Sequence, residues 1–79
     1  MIKMKPLTVK QKMTLEAIEY FIDNNGYSPT FQELAKLLNK NVSTVFKKVI
    51  ILEEAGYVSS ISGKQRTIKV LRGVSNWEK

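Results

Sequence analysis

The pattern of apolar and polar positions predicts three helices followed by two strands. The first helix is predicted from Val9 to Asn25, because apolar residues recur there at helical spacing opposite an acidic face. Its core-facing residues are predicted to be Gln11, Leu15, Ile18 and Ile22. Thr8 and Gln11 have the spacing of a capping box, in which each side chain accepts from the other residue's backbone amide. The sequence Asn25-Gly26 is typical of a helix end.

A second, shorter helix is predicted after the connector Tyr27-Ser28-Pro29. Thr30 and Glu33 form a second capping box at its start, and Asn39 and Lys40 close it. Its apolar residues, all predicted to be buried, are Phe31, Leu34, Ala35, Leu37 and Leu38.

The third helix is predicted to lie between Asn41 and Gly56, with Asn41 as a side-chain N-cap and Gly56 as a left-handed end. Its apolar stripe comprises Val45, Val49 and Leu52, with Val42 beside them. Only a tight turn separates this helix from the second, and two short helices joined in this way form a helix-turn-helix unit.

After Gly56 the periodicity changes from helical to alternating. Two strands are predicted, Tyr57 to Ser62 and Arg66 to Leu71, joined through Gly63-Lys64-Gln65. Val58, Ile61, Ile68 and Val70 are predicted to cover the helical core. The predicted fold class is α+β, mainly α: a three-helix winged helix-turn-helix in residues 1–71 with a C-terminal β-hairpin wing, followed by a short tail in residues 72–79.

The amino-acid composition excludes several kinds of active site. The 79 residues suffice for one small domain and include neither Cys nor His, which excludes disulfides, thiol nucleophiles, imidazole bases and the usual zinc sites. We therefore expect no catalytic residues, no bound metal and no cofactor. The longest apolar run, Val49 to Leu52, is too short to cross a membrane, so we expect a cytoplasmic protein without a membrane partner.

The charge distribution favours an anionic partner. The formal net charge is +6, and of the seven acidic residues only Glu78 lies beyond Glu54. No acid lies between Leu34 and Leu52, where small hydroxyl residues are followed by lysines, a pattern suited to a helix that meets DNA. An ordinary core helix with a solvated lysine face explains this stretch equally well. The helix-turn-helix and the basic hairpin favour the DNA interpretation, although the hairpin tip alone also suits a solvated turn.

Four segments resemble the N-terminal DNA-binding domain of the LexA repressor family. They are the opening L-T-V-K-Q-K, G-Y-S-P-T-F-Q-E-L-A from Gly26, L-E-E-A-G-Y-V from Leu52, and S-G-K-Q-R-T-I-K-V-L from Ser62. The resemblance implies a winged helix-turn-helix and a transcriptional regulator of double-stranded DNA, most simply a repressor associated with the bacterial nucleoid.

The same resemblance implies which residues meet DNA. The third helix would enter the major groove, and the wing would lie near the flanking backbone. The predicted contacts are Asn41, Ser43, Thr44, Lys47 and Lys48 in the third helix, Thr30 and Lys40 around the turn and the start of the second helix, and Lys64, Gln65 and Arg66 in the wing.

Two departures from the family pattern limit the transfer. The segment N-K-N-V-S-T-V-F-K-K differs from the better-known members, so no operator sequence is carried over. Full LexA-type repressors continue into a self-cleaving domain with a Ser-Lys dyad, whereas only Arg72 to Lys79 follow the hairpin here. We expect no self-cleavage by this chain, which is either a cloned domain or a stand-alone regulator encoded by a phage or mobile element.

A second function remains open, a protein-interaction module on a winged-helix scaffold, such as a co-repressor or a modulator of a host regulator. Its predicted contact residues are Phe46, Ile50, Ile51 and Trp77, because adjacent helical positions diverge by about 100° and cannot all face the core. The alternative is that Ile50 or Phe46 tucks under the wing or the first helix. For the regulator we expect a homodimer that is weak or forms only on DNA.

Overall fold

The structure is a computed structural model that describes residues 7–61 and 63–71. Its elements in chain order are α1 (Val9–Asn25), α2 (Phe31–Leu38), α3 (Val42–Glu54), β1 (Val58–Ser59) and β2 (Lys69–Val70). The two strands pair antiparallel, with Val58 opposite Val70 and Ser59 opposite Lys69. The predicted mainly helical fold with a hairpin wing is confirmed.

Both predicted capping boxes are present. The Thr8 and Thr30 hydroxyls accept from the amides of Gln11 and Glu33, whose side chains accept in return from the threonine amides. At the other end of α1, Gly26 is left-handed with φ 78°. These local signals explain why the boundaries of α1 match the prediction.

The turn between α2 and α3 is tight because Asn39 adopts a left-handed conformation with φ 56°. The Lys40 amide donates to the Ala35 carbonyl at 3.0 Å, and the Asn39 amide donates to Lys36, which is the pattern of a Schellman motif. The chain thus reverses within Asn39 to Asn41, and α3 begins at once.

The two ends of α3 differ in how well they were predicted. Asn41 occupies the N-cap position, but its side chain makes no capping hydrogen bond, so that part of the prediction was wrong. Its backbone carbonyl alone accepts the first helical bond, from the Val45 amide at 3.0 Å. Gly56 is left-handed with φ 89°, as predicted, and the Tyr57 amide donates to the Leu52 carbonyl.

The core lies where α3 packs against α1, α2 and β1. Its buried hydrophobic residues are Leu15, Ile18, Leu34, Ala35, Val45, Val49, Leu52, Tyr57, Val58 and Ile68. The central part of each predicted helical stripe is therefore confirmed, and the burial of Val58 and Ile68 confirms that the wing closes over the helices. Val70 packs against this core while partly buried.

Three residues predicted to be buried are instead exposed. Val42 is 43% exposed because it is the first residue of α3, where the helix extends past the core. Leu37 is 44% exposed, since it lies on the side of Leu34 that faces away from Ala35, at the edge of the buried stripe of α2. Ile61 is 58% exposed because it lies beyond the paired residues of β1.

The strands are also shorter than predicted. Beyond Ser59 the backbone ladder gives way to side-chain hydrogen bonds, and the Ile61 amide donates to the Thr67 hydroxyl at 3.0 Å. The Thr67 hydroxyl lies 3.2 Å from the Lys64 carbonyl, to which it can donate. The rest of the wing is therefore a loop organised around one threonine.

Candidate nucleic-acid interface

The start of α2, the start of α3 and the wing loop face one shallow concavity of about 300 Å³. Its lining residues are Pro29, Thr30, Phe31, Gln32, Val42, Gly63, Lys64, Gln65, Arg66, Thr67 and Ile68. The concavity brings Thr30 together with the predicted wing contacts Lys64, Gln65 and Arg66, which lie far from it in the sequence, whereas α3 contributes Val42 and none of its predicted contacts.

The predicted contact residues of α3 are mostly accessible. Asn41, Ser43 and Lys47 are exposed, while Thr44 and Lys48 are half-buried. The amide group of Asn41 is not used as a cap and is therefore available for an external partner. A helix N-terminus carries partial positive charge, so this end of α3 suits an anion.

Around the α2–α3 turn the two predicted contacts differ. Lys40 is exposed. Thr30 is half-buried, and its hydroxyl already accepts from the Glu33 amide at 3.1 Å. Thr30 can still donate its hydroxyl proton, but its main role in the structure is to cap α2.

At the tip of the wing, Lys64 and Gln65 are exposed. Gly63, with φ 79°, allows the loop to turn, and the Lys64 amide donates to the Ile61 carbonyl at 3.1 Å. Within the part of the chain that the structure describes, no ion pair involves Lys40, Lys47 or Lys64.

Arg66 differs from the other wing residues because its guanidinium is engaged within the domain. Nη1 and Nη2 donate to the two carboxylate oxygens of Glu33, each at 3.0 Å, and Nη1 also lies 3.1 Å from the Ser28 carbonyl. The guanidinium carbon sits 4.7 Å from the centre of the Tyr27 ring. A bidentate arginine of this kind fixes geometry as well as charge.

The connector between α1 and α2 provides a second attachment for the wing. Ser28 is buried, and its hydroxyl accepts from the Ile68 amide at 3.1 Å while donating to the Pro29 carbonyl at 3.0 Å. Together with Arg66, this bond ties the chain just before β2 to the start of α2. The position of the wing relative to α2 is therefore set by polar contacts as well as by the core.

Glu33 is the acidic partner in this attachment. Hydrogen bonds from the Thr30 amide and then from the Arg66 guanidinium keep the pKa of the Glu33 carboxyl below its ordinary value of 4.5. A carboxyl group whose pKa is lower in the folded than in the unfolded state stabilises the folded state at pH values above 4.5. The contact between Glu33 and Arg66 is therefore complete near neutral pH and weakens in acid.

Sequence reasoning missed the intramolecular role of Arg66 and the burial of Ser28. The prediction treated Arg66 as one more basic residue of a hairpin tip. The only signal for another role was the acidic Glu33 at a helix start, and its distance of 33 positions from Arg66 hid the pairing. Ser28 precedes a proline, which is typical of an exposed connector, and nothing local indicated its burial.

Of the four predicted protein-contact residues, the three that the structure describes do not share one side of α3. Phe46 is 49% exposed and its ring packs edge-on against Phe31, while the half-buried Ile50 lines the same small groove beside the wing. Ile51 is 42% exposed and diverges from Ile50 by about 100° around α3. The expectation that Ile50 and Ile51 cannot both be buried is confirmed, and Trp77 lies outside the described residues.

Among residues 7–61 and 63–71 there is no group of three or more acidic side chains placed to hold a metal ion. Over the same residues, no helix is both long enough and apolar enough to cross a membrane.

Comparison with known proteins bears on the same surface. The family model for the LexA DNA binding domain matches residues 4–67. The LexA repressor of Thermotoga neapolitana is 37% identical over 73 residues, covering 92% of this chain and 37% of the relative. The LexA repressor of Thermosipho africanus is 35% identical over 69 residues, covering 87% of this chain and 35% of the relative.

A third relative matches over a similar extent: the LexA repressor of Bifidobacterium longum is 34% identical over 76 residues, covering 90% of this chain and 32% of the relative. The chain thus spans about a third of the length of these curated relatives. The family match includes all three helices and the wing loop, and covers every residue that lines the concavity except Ile68. The chain belongs to the LexA DNA-binding domain family.

Proposed function

We propose that this chain is a sequence-specific regulator that binds double-stranded DNA and represses transcription by occupying a promoter. The observation that carries the proposal is the concavity in which the starts of α2 and α3 meet the wing loop, with the exposed Lys64 in its lining. Family membership and the repressor names of the relatives support it. The activity would be exerted at the bacterial nucleoid and requires no catalytic group or cofactor.

In this proposal the contacts divide into two kinds. Asn41, Ser43 and Thr44 lie at the start of α3, which is the part of a recognition helix that meets base edges in the major groove. The phosphate contacts are Lys40, Lys47, Lys48, Lys64 and Gln65, with Thr30 at the start of α2. Phosphate contacts set position and affinity, whereas base contacts set the recognised sequence.

For Arg66 we propose a positioning role in place of the predicted phosphate contact. Its guanidinium donates to Glu33 and to the Ser28 carbonyl, so a phosphate would have to compete with these bonds. Arg66 then holds the wing in the position in which Lys64 and Gln65 can contact the phosphates of the DNA backbone.

A salt titration of binding to duplex DNA tests the proposal. For each lysine that contacts a phosphate, removing it should lower the slope of log affinity against log salt by about one. We expect this for Lys64→Ala but not for Lys10→Ala, which removes an equal charge from the exposed first turn of α1.

Ser43→Ala should weaken the preferred duplex more than a random one, while Lys64→Ala should weaken both alike. Binding by the intact chain that is absent or independent of salt would contradict the proposal.

We also propose that two copies bind together on DNA. One small domain offers few base contacts, and helix-turn-helix proteins commonly overcome this with two half-sites about 10 base pairs, or a multiple of that, apart. The stoichiometry of the gel-shifted complex reports this directly.

The alternative function, a protein-interaction module, is supported by the exposure of Phe46 and Ile51. It is weakened by the packing of Phe46 against Phe31 and by the placement of Phe46 beside the wing. It becomes the better explanation if the intact chain fails to bind duplex DNA and a partner is retained by wild type but lost with Ile51→Glu.

A further inference from the structure

We propose that Val42 and Phe46 recognise thymine methyl groups, so that α3 selects its site partly through apolar contact. This inference rests on the proposed function and adds to it the class of base that is selected. It starts from two residues that the hydrogen-bonding and charge arguments leave unused.

Val42 and Phe46 form an apolar row at the start of α3. They are four positions apart and therefore lie one above the other on the same side of the helix. Val42 is 43% exposed and Phe46 is 49% exposed. Ser43 and Lys47, also exposed and also four positions apart, form a polar row beside them.

The apolar row faces the candidate interface. Val42 lines the concavity between the start of α2 and the wing loop. Phe46 lines the adjoining groove beside Ile61 and Gly63 of the wing. Both side chains are therefore on the same side of the domain as Lys64 and Gln65, whose cationic and amide groups suit a nucleic-acid backbone better than an apolar protein partner.

Phe46 is also held in place before any partner arrives. The Phe46 ring packs edge-on against Phe31, with ring centres 5.4 Å apart and planes at 73°. Phe31 is the first residue of α2 and packs against the core. A side chain that is already ordered loses little freedom on binding, which favours its use in recognition.

The polar side chains at the start of α3 that can read bases are limited to Asn, Ser, Thr and Lys. Between Asn41 and Lys48 there is no Arg, Gln, Asp or Glu, the side chains that most often pair with base edges alongside Asn and Lys. In the major groove, thymine alone among the four bases presents a methyl group, and apolar side chains recognise it by contact. The geometry therefore points to sites in which thymines face Val42 and Phe46.

The test uses the full chain and its preferred duplex, obtained by selection from a random pool. Each thymine is then replaced by deoxyuridine, which lacks only the methyl group. At one or two positions of each half-site we expect affinity to fall about fourfold, which corresponds to the burial of one methyl-sized group. At one such position Val42→Ala should bind the thymine and uridine duplexes equally, and Phe46→Ala should do so at another.

Controls separate recognition from folding. Ile51→Ala removes a similarly exposed apolar side chain from a different side of α3 and should retain full sensitivity to uridine. Phe46→Leu keeps a core-compatible side chain if Phe46→Ala proves unstable, and it should also reduce the uridine effect. A circular dichroism melt confirms that each variant is folded.

Two results would overturn the inference while leaving the proposed function intact. One is specific, salt-dependent binding that is indifferent to uridine at every position. The other is a uridine effect that persists unchanged in Val42→Ala and in both Phe46 variants, which would assign the methyl contact elsewhere. If the selection yields no preferred duplex and binding does not depend on salt, the proposed function and this inference both fail.

Discussion

Two helices of this domain begin with the same motif, and the two copies serve different purposes. In α1, Thr8 and Gln11 exchange backbone-to-side-chain hydrogen bonds of 3.0 and 3.2 Å. In α2, Thr30 and Glu33 do the same at 2.9 and 3.1 Å. Locally the two capping boxes are equivalent, and the sequence predicts both from spacing alone.

The two boxes differ in the side chain at the third helical position. In α2 it is Glu33, which has a second carboxylate oxygen and a negative charge, and in α1 it is the neutral Gln11. Glu33 caps α2 and also accepts two hydrogen bonds from Arg66, so it links the start of α2 to the wing. Gln11 is uncharged, and among the described residues its side chain makes only the local contact with Thr8. A capping residue can thus also join two distant parts of a fold, provided that tertiary packing brings a partner to it. Four experiments sharpen this comparison.

The largest difference is expected between Thr30→Ala and Thr8→Ala. Loss of an N-cap typically lowers the free energy of unfolding by about 1 kcal/mol, and we expect about 1.5 kcal/mol for Thr30→Ala against about 0.5 kcal/mol for Thr8→Ala. The first turn of α1 is exposed and can fray by itself, whereas α2 is only eight residues long and its start supports the wing. Urea unfolding measures both values, and equal losses would show that the tertiary contacts of Glu33 add nothing to its cap.

A smaller effect is expected when Arg66 is replaced. The hydrogen bond to the Ser28 carbonyl and the contact with Tyr27 together suggest that Arg66→Ala lowers the free energy of unfolding by about 1 kcal/mol. Arg66→Lys should not restore it, because an ammonium group cannot donate in the same planar fork. Lys64→Ala, two positions earlier on the exposed loop, should change stability by less than about 0.5 kcal/mol.

The same variants separate positioning from phosphate contact. If Arg66 holds the wing, Arg66→Ala should weaken DNA binding without changing the slope of log affinity against log salt, whereas Lys64→Ala should reduce that slope. A slope reduced equally by both variants would return Arg66 to the phosphate contacts.

The smallest effect is the dependence on pH. The pKa of Glu33 is below 4.5 in the folded state, so its ionised carboxylate contributes stability that is fully present above pH 4.5 and is lost as the pH falls through the lower, folded value. Glu33→Gln keeps an amide that can cap, but it cannot titrate. The difference in unfolding free energy between wild type and Glu33→Gln should therefore shrink as the pH falls below 4.5.

A control for this experiment comes from the other capping box. Gln11 carries no titratable group, so the effect of Gln11→Ala should be the same at every pH. A constant difference between wild type and Glu33→Gln across the acid range would contradict a role for the Glu33 charge in attaching the wing.

The order and type of the elements could be predicted from sequence because their signals are local. Two capping boxes, the left-handed Gly26 and Gly56, and the helical spacing of residues such as Leu15 and Leu52 each depend on neighbours within one or two turns. Predictions were wrong where a helix or strand runs past the core. Val42, Leu37 and Ile61 have the residue types and periodicity of core positions, but the domain is too small to cover them.

The sequence by itself determined the three helices, the tight turn between α2 and α3, the hairpin, and the family to which the chain belongs. Only the tertiary structure decided that Arg66 is bound to Glu33 and Ser28, and that Ser28 is buried. It also decided that Val42 faces the concavity beside the wing and that Phe46 faces the adjoining groove. The physical reason is the range of the interactions. Capping and periodicity act between residues three or four apart, whereas the partner of a guanidinium or an apolar ring is set by which distant segments the core brings within a few ångströms of it.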